Sequence, residues 1–408
     1  MLADRGAAHE RADDVMRIGL DARTLTAPRP RGTGRNLLDA YRLVTALRPD
    51  WDFVLFHQRP LADDAPAAEL AARPNVQLRR IDVPGDRLDA WFQLALPLAA
   101  RQARVELLHL PANAAPAWLP VPAVATIHDL APLTVSGELP PRATARFRRG
   151  VRRAVRRAKH LITVSAATRS ALHELFGVPS ERVSVVPWAP DAHIAAAAAE
   201  ARQPQRVAEL CQRYGLHGRW LLAFSGWAPR KNARGLLCAF ARLPAAVRAT
   251  NQLVLVGCEP AERRAALRKL TRDLGVASAC RILGYVPHAD LPGLLAGACG
   301  LAMPSLCEGF GLPLLDAMAC DVPVLTSNRS SMPEVAADAA LYCDPTDPDH
   351  IAAGLAELLQ PATAARLVAR GRARVREFTW ERTAAALCAV YERAAGARAP
   401  VPVEVVVP

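Results

Sequence analysis

Cysteine does not occur before Cys211, and the nine cysteines of the chain, ending at Cys388, include no Cys-x-x-Cys pair. Such scatter excludes a disulfide framework and a zinc site of paired cysteines, and it predicts reduced thiols in a cytosolic protein. Lysine is almost missing, with three residues among 51 basic side chains. A lysine in a turn is therefore hard to put down to composition. Long hydrophobic runs are missing too. The uncharged stretch 291–307 is broken by Pro292, Gly293, Gly297, Gly300 and Pro304, which fits a buried helix followed by a strand and not a membrane span. Residues 1–15 carry Asp4, Glu10, Asp13 and Asp14 without an apolar core, so they are expected to form a loose extension and not a secretory leader. No Asp-x-Asp stands on a plausible strand-end loop, and no metal or other cofactor is expected. No internal repeat is visible.

What is present points to a two-domain α/β protein. At 408 residues the chain exceeds one core of usual size. Its 51% hydrophobic and 22% charged residues suit a soluble globular protein. The formal charge of +12 calls for anionic company, whether a nucleotide ligand, an anionic membrane face or nucleic acid.

Residues 16–21 read as a first strand, followed by a polar loop through Gly32-Thr33-Gly34 and an amphipathic helix near 35–47. Strand, glycine turn and helix make the opening of a Rossmann-like unit, although Gly-x-Gly alone equally describes a plain tight turn. Further strands are predicted at 53–57, 76–81, 105–110 and 121–127, alternating with helical stretches such as 89–101. That alternation is the pattern of a parallel sheet with helices on both faces. The strand 121–127 delivers His128 and Asp129 at its carboxyl end, where doubly wound sheets present ligand groups. Strands at 161–165 and 182–187 complete a first domain over 16–190, and 191–218 reads as a linker with a helix near 204–214.

The second domain, 219–378, restarts with a strand at 220–224. Its turn Ser225-Gly226-Trp227-Ala228-Pro229-Arg230-Lys231-Asn232 leads into a helix at 233–242. Arginine and lysine beside a helix start suit a diphosphate, the first as a bidentate fork and the second as a compact charge. A solvent-facing basic turn is the alternative. Segments 253–257, 281–286, 301–305 and 322–327 continue the sheet; helices at 348–359, 362–376 and 379–394 follow, with a tail from 396 to 408.

Between them lies the most informative stretch, 304–323: Pro-Ser-Leu-Cys-Glu-Gly-Phe-Gly-Leu-Pro-Leu-Leu-Asp-Ala-Met-Ala-Cys-Asp-Val-Pro. A loop bearing Gly309, Phe310 and Gly311 leads through Leu312 and Pro313 into an apolar helix, whose unpaired N–H groups make an anion site. Glu308 on the loop and Asp316 one turn into the helix bracket it, with seven residues between them.

This segment resembles the signature of the retaining glycosyltransferases of family four, in which Glu, seven residues and a second Glu frame the nucleotide-sugar. Thr-Ile-His-Asp-Leu around His128 and Ser331-Met332-Pro333-Glu334-Val335 resemble the same family, over roughly 16–394 in all. The resemblance implies the GT-B fold: two Rossmann-like domains facing a cleft, with the last helix (379–395) crossing back to the first domain. It implies that Glu308 lies by the donor sugar, Asp316 by the ribose, His128 by the sugar and phosphate, and Lys231 and Arg230 by the leaving diphosphate. Gly32, Gly34, Gly226 and the 309–312 loop are then expected near the donor, with Gly284 and Tyr285 reading the base by their backbone. Departures exist: Asp316 is one methylene shorter than the usual Glu, Trp227 stands where Arg often follows the glycine, and Pro187-Trp188-Ala189 replaces Pro-Asn-Gly.

Transfer of a sugar to an acceptor hydroxyl is the expected activity. The opening Ile-Gly-Leu-Asp-Ala-Arg and the Pro-Arg-Lys-Asn turn look most like mannosyltransferases that build bacterial surface polysaccharides on lipid carriers, so GDP-mannose and a lipid-linked glycan are the first expectation. A soluble transferase using a UDP-sugar and a small acceptor, or a nucleotide-sugar binder without turnover, is the alternative. Residues 142–159 bear on this choice, with nine basic side chains and no acid: Arg142, Arg146, Arg148, Arg149, Arg152, Arg153, Arg156, Arg157 and Lys159. Phe147, Val151, Ala154, Val155 and Ala158 form one apolar stripe among them. Such a helix suits an anionic lipid surface at the inner face of a membrane, or equally a solvated outer helix. Nucleic acid is not expected, since recognition motifs and interleaved aromatics are lacking.

Overall fold

The computed structural model describes residues 15–26, 32–60, 67–83, 89–225 and 228–396. Seven strands form the first sheet: β1 (Arg17–Asp21), β2 (Asp52–His57), β3 (Val76–Arg80), β4 (Leu107–Leu110), β5 (Ala123–Ile127), β6 (His160–Thr163) and β7 (Val183–Val185). Their spatial order is β3-β2-β1-β4-β5-β6-β7. Six more make the second sheet: β8 (Arg219–Phe224), β9 (Asn251–Val256), β10 (Cys280–Ile282), β11 (Gly300–Met303), β12 (Val324–Ser327) and β13 (Ala340–Cys343), in the order β10-β9-β8-β11-β12-β13. Neighbouring strands pair in parallel throughout, for instance Gly19 opposite Val54 and Leu108, and Leu222 opposite Val254 and Leu301. Central strands such as β4 and β5 bury every residue, as expected where helices cover both faces.

β5 and β12 begin after Pro122 and Pro323, later than their hydrophobic runs suggest. Proline has no N–H for the ladder. Its carbonyl still accepts, from Leu108 N in one case and Leu301 N in the other, each at 2.9 Å.

One apolar core runs from β1 through the helix Trp380–Ala395 into the second domain, holding Ile18, Tyr41, Trp188, Trp220, Leu315 and Tyr391. The last helix therefore belongs to both domains, as the resemblance implied. It packs on the helix Gly32–Leu47. The Tyr391 hydroxyl lies 2.8 Å from the Tyr41 hydroxyl and 2.8 Å from Nδ1 of His109, whose Nε2 bonds Thr126 Oγ1 at 2.8 Å. At its start, Trp380 Nε1 donates to Pro190 O (2.9 Å) and Thr383 Oγ1 to Pro187 O (2.7 Å), tying it to the chain between the domains. That chain continues as helices Ala192–Ala201 and Pro204–Tyr214, both packed on the helix Leu291–Ala296 of the second domain.

One expectation needs correction and one open alternative is decided. Gly32 and Gly34 belong to the first turn of the helix Gly32–Leu47 and not to a loop before it; glycine disfavours a helix interior, and its cost is smallest where N–H groups have no intrahelical partner. The basic helix, Pro141–Arg157, does not offer its apolar stripe to lipid. Val151 and Ala154 are buried, and Phe147 and Val155 pack on the same core as Val54, Leu108 and Leu161. Only its arginine-bearing faces remain outside.

His109 is fully enclosed, and burial drives its pKa down to about 3. Its folded value lies below the ordinary ~6.5 of an unfolded chain, so the unfolded state binds the extra proton between those limits. Stability should thus fall as pH drops through ~6.5 and go on falling toward 3. His109→Gln should flatten this dependence in chemical denaturation at pH 7, 6, 5 and 4. Tyr391→Phe should cost about 1–3 kcal/mol through two lost hydrogen bonds, and Tyr391→Ala about 3–5 kcal/mol.

Candidate active site

Three strand ends converge between the sheets. β5 ends at His128 and Asp129, β8 leads to the turn Pro229–Lys231, and β11 leads into the loop 304–311. They enclose a cavity of about 370 Å³ lined also by Gly32, Arg35, Trp188 and Asp191. Lys231 and Arg230 both reach Glu308. Lys231 Nζ stands 2.7 Å from Oε1, and Arg230 Nη1 donates to Oε2 at 2.9 Å. Glu308 is only 7% exposed. Burial opposes its ionisation, but Lys231 and Arg230 outweigh it and hold the carboxyl below its usual pKa.

Arg230 also crosses the cleft. Its Nε lies 3.0 Å from Glu138 Oε1, its backbone N–H donates to Glu138 Oε2 (3.0 Å), and Nη2 is 4.0 Å from Asp129. Glu138, 5% exposed, comes from the first domain. The cations are thus paired, not bare, yet each keeps further N–H donors, since guanidinium has five and ammonium three.

Two glycines make the loop possible. Gly311 caps the helix Leu312–Ala319 at φ +102, and a side chain there would meet Met332 Cε at 2.5 Å. Gly309 is tighter: a Cβ would stand 2.0 Å from the His128 carbonyl oxygen. The second domain's loop lies directly on the first domain's backbone, and Ser165 Oγ donates to Gly309 O at 2.6 Å. Ser331 Oγ lies 2.9 Å from the carbonyls of both Glu308 and Phe310. Beside it, Glu334 reaches across the cleft and accepts from Ala166 N (2.7 Å) and Ala167 N (3.1 Å), capping the first-domain helix Ala166–Phe176 with its carboxylate. Arg374 holds the Glu334 and Val335 carbonyls at 2.7 and 2.9 Å.

His128 donates Nε2–H to Pro111 O (2.7 Å), which fixes its tautomer when neutral; burial lowers its pKa. Its ring lies 5.8 Å from Trp188, which stands edge-on to Trp380 at 5.6 Å. Asp316 accepts the Asp191 N–H at 2.9 Å, and burial pushes its pKa up to about 7. Asp191 remains ionised beside it, paired with His288 Nε2 (2.8 Å) and Arg35 Nε (3.3 Å) and capping the helix Ala192–Ala201.

Of the residues singled out in the sequence, His128, Arg230, Lys231, Glu308, Gly309, Phe310, Gly311, Leu312, Asp316 and Gly32 line this cavity. Gly34 is buried behind it in the helix Gly32–Leu47. Gly284 and Tyr285 stand apart from it at the end of β10 beside Glu259, with Tyr285 60% exposed. Gly226 lies outside the described residues. Glu138, Ser165, Asp191 and Arg35 were not singled out, because they meet the site only through the packing of one domain on the other. Glu334 carried a signal, an acid in the first turn of a helix with proline at its start. Among the described residues no three His, Cys, Asp or Glu side chains converge in a way that suits a metal ion.

Residues 216–374 match the family described as Glycosyl transferases group 1, and residues 40–192 match Glycosyltransferase Family 4. O-antigen chain mannosyltransferase B of Escherichia coli is 36% identical over 261 residues, 64% of this chain and 67% of that one. This chain belongs to the group 1, family 4 glycosyltransferases. MMP alpha-(1->4)-mannosyltransferase of Mycolicibacterium hassiacum is 31% identical across 67% of this chain and 66% of its own length. Anabaena HepE, in a crystal structure with UDP and glucose, superposes with a TM-score of 0.69 at 18% identity, covering 93% of this chain and all of that one. WaaG, a glycosyltransferase involved in lipopolysaccharide biosynthesis, gives a TM-score of 0.67 at 16% identity over 92% and 99%. The fold is therefore GT-B.

The glycosyltransferase cleft depends on Gly309 meeting His128 without a side chain between them. Gly309→Ala should leave each sheet intact by circular dichroism but give a more extended particle in small-angle X-ray scattering, with sugar transfer reduced at least tenfold. Unchanged scattering and transfer would remove the docking role.

Proposed function

We propose that the enzyme transfers mannose from GDP-mannose, with retained anomeric configuration and without a metal, to a hydroxyl of a lipid-linked glycan in surface polysaccharide assembly. The observation that carries the site assignment is the convergence of Lys231 and Arg230 on Glu308 at the start of the helix Leu312–Ala319. As the glycosidic bond to phosphate breaks, negative charge grows on the leaving diphosphate. The remaining N–H donors of Lys231 and Arg230 and the first amides of that helix meet it without reorganising. Glu308 orients these cations and accepts from donor-sugar hydroxyls. Both its oxygens are engaged by cations, which disfavours it as a covalent nucleophile and favours same-face attack assisted by the departing phosphate.

The mannosyltransferase relatives from E. coli and M. hassiacum support mannose as the sugar. The HepE crystals with UDP-glucose keep a UDP-sugar as the second reading. The arginines of the helix Pro141–Arg157, left outside by its buried stripe, support contact with an anionic lipid surface; no described helix is long and apolar enough to cross a membrane. Binding to anionic liposomes should accordingly be lost by raising salt from 0.05 to about 0.5 M, as a flotation assay would register.

Lys231→Ala and Glu308→Ala should each lower turnover by orders of magnitude while the fold persists; wild-type turnover in either folded variant would remove the assignment. A thermal-shift screen of GDP, UDP and ADP with their sugars identifies the donor, since the ligand of the folded form raises its stability. Asp316, titrating near 7, binds the ribose hydroxyls as a carboxylate. Donor KM should therefore rise as pH falls below 7, and Asp316→Asn should abolish that dependence. Proton NMR of the first-formed product tests retention, and activity that survives EDTA tests metal independence.

A further inference from the structure

Beside the donor cavity, on the outer side of the loop that follows β4, lies a second and larger groove of about 790 Å³, entirely within the first domain. Its walls are the helix Pro141–Arg157 on one side and the segments after β1 and around Phe92 on the other. Four arginines line it, Arg23, Arg146, Arg149 and Arg153, and among the described lining residues Asp89 supplies the one carboxylate. Asp89 is shared: it lies 3.8 Å from Arg23 and 3.4 Å from Arg146. Arg153 bonds only the neutral Gln93, at 3.1 Å, and Arg149 has no carboxylate within ion-pair distance among the described residues. The groove is therefore cationic in excess. It is also apolar at its base, where Phe92 and Phe147 face it along with the alanines of the loop after β4.

Three details make this more than a basic surface. Arg146, Arg149 and Arg153 recur at helical spacing along the side of the helix that borders the groove, Arg146 and Arg149 exposed and Arg153 half-buried, whereas Arg148, Arg152 and Arg156 do not line it. Gly150 lets that helix come close: a Cβ there would be 3.0 Å from Ala114 Cβ, and Gly150 O accepts from Ala115 N. Arg23 is preset, its guanidinium layered over Trp91 at 4.4 Å and Phe92 at 4.7 Å and held by Asp21 at 2.7 and 2.9 Å. The groove also adjoins the donor site through one residue. Asn113 lines the groove, and its Oδ1 accepts from the backbone N–H of His128, which lines the donor cavity, at 2.6 Å.

From this we infer that the groove is the seat of the acceptor's anchor, and that the anchor is a phosphate or diphosphate ester carried on an apolar chain. Planar guanidinium forks match phosphate oxygens bidentately, and the aromatic floor takes the chain. A neutral sugar alone would leave the cationic excess uncompensated. The inference deepens the proposed transfer reaction and rests on that reading for the word acceptor, but the groove's ligand class is testable without turnover.

Isothermal titration calorimetry on the full chain at about 0.15 M salt would use farnesyl diphosphate, farnesol and inorganic diphosphate as probes. Farnesyl diphosphate should bind the wild-type protein, and Arg149→Glu/Arg153→Glu should weaken it at least tenfold. Farnesol should not bind measurably, and inorganic diphosphate should bind at least tenfold more weakly than the farnesyl ester. Equal affinity in wild type and double variant, or absence of binding to the wild type, overturns the proposal. Inorganic diphosphate binding as tightly as the farnesyl ester overturns the apolar-chain part and leaves an anion site for free phosphate. Both substituted side chains lie on the helix surface, and an unchanged thermal midpoint confirms a folded variant; Arg153→Gln alone, with an expected threefold loss, gives a second reading should the double variant unfold. Donor hydrolysis without acceptor tests the transferase separately. Its absence with farnesyl diphosphate still bound removes the enzyme and keeps the groove, while hydrolysis without farnesyl binding does the reverse.

Discussion

A carboxylate taken out of water needs a cation against it, and this requirement at Glu308 organises the molecule. Burying an ionised acid alone would be prohibitive, and breaking such a pair typically costs about 3–5 kcal/mol. Lys231 and Arg230 meet the need from the turn after β8. Arg230 is then itself a partly buried cation, and its second carboxylate, Glu138, comes from the opposite domain. One buried charge thus recruits two loops of its own domain and one of the other, which is why the residues suited to a departing diphosphate stand where the domains meet.

Backbone packing makes the same junction exact in position where electrostatics only makes it attractive. Ion pairs tolerate several tenths of an ångström, but the approach of Gly309 to the His128 carbonyl leaves no room for even a methyl group. Ser165 and Glu334 then place hydrogen bonds around that contact. On the far side of the molecule the helix Trp380–Ala395 lays Tyr391 against Tyr41 and His109 inside a core common to both domains. Polar docking at the cleft and apolar docking behind it meet at Trp188, which belongs to that core and also lines the donor cavity.

The local features of this site were readable from residue order. Gly309 and Gly311 announced a tight loop, Leu312 and Pro313 a helix start, and Lys231, one of three lysines, a basic turn. Alternating strands and helices announced two doubly wound sheets. Prolines 122 and 323 shifted strand starts in a way their missing N–H explains. What residue order left open were amphipathic meanings: the stripe Phe147, Val151, Ala154 and Val155 has the period of a lipid-facing helix, and the same period serves a helix packed on a sheet. Gly-Thr-Gly likewise suits both a loop and a first helical turn.

The sequence by itself determined the family, the two-sheet frame and the chemical types gathered for a nucleotide-sugar, because those follow from short-range periodicity and from motifs contiguous in the chain. Tertiary structure alone decided that Glu138, Ser165, Asp191 and Arg35 join the site, that Asp316 titrates near neutrality beside Asp191, and that four arginines share one groove. Such residues lie up to hundreds of positions apart. Nothing in their immediate neighbours records which distant surface will press against them, so burial and charge pairing across a domain boundary appear only once the chain has closed on itself.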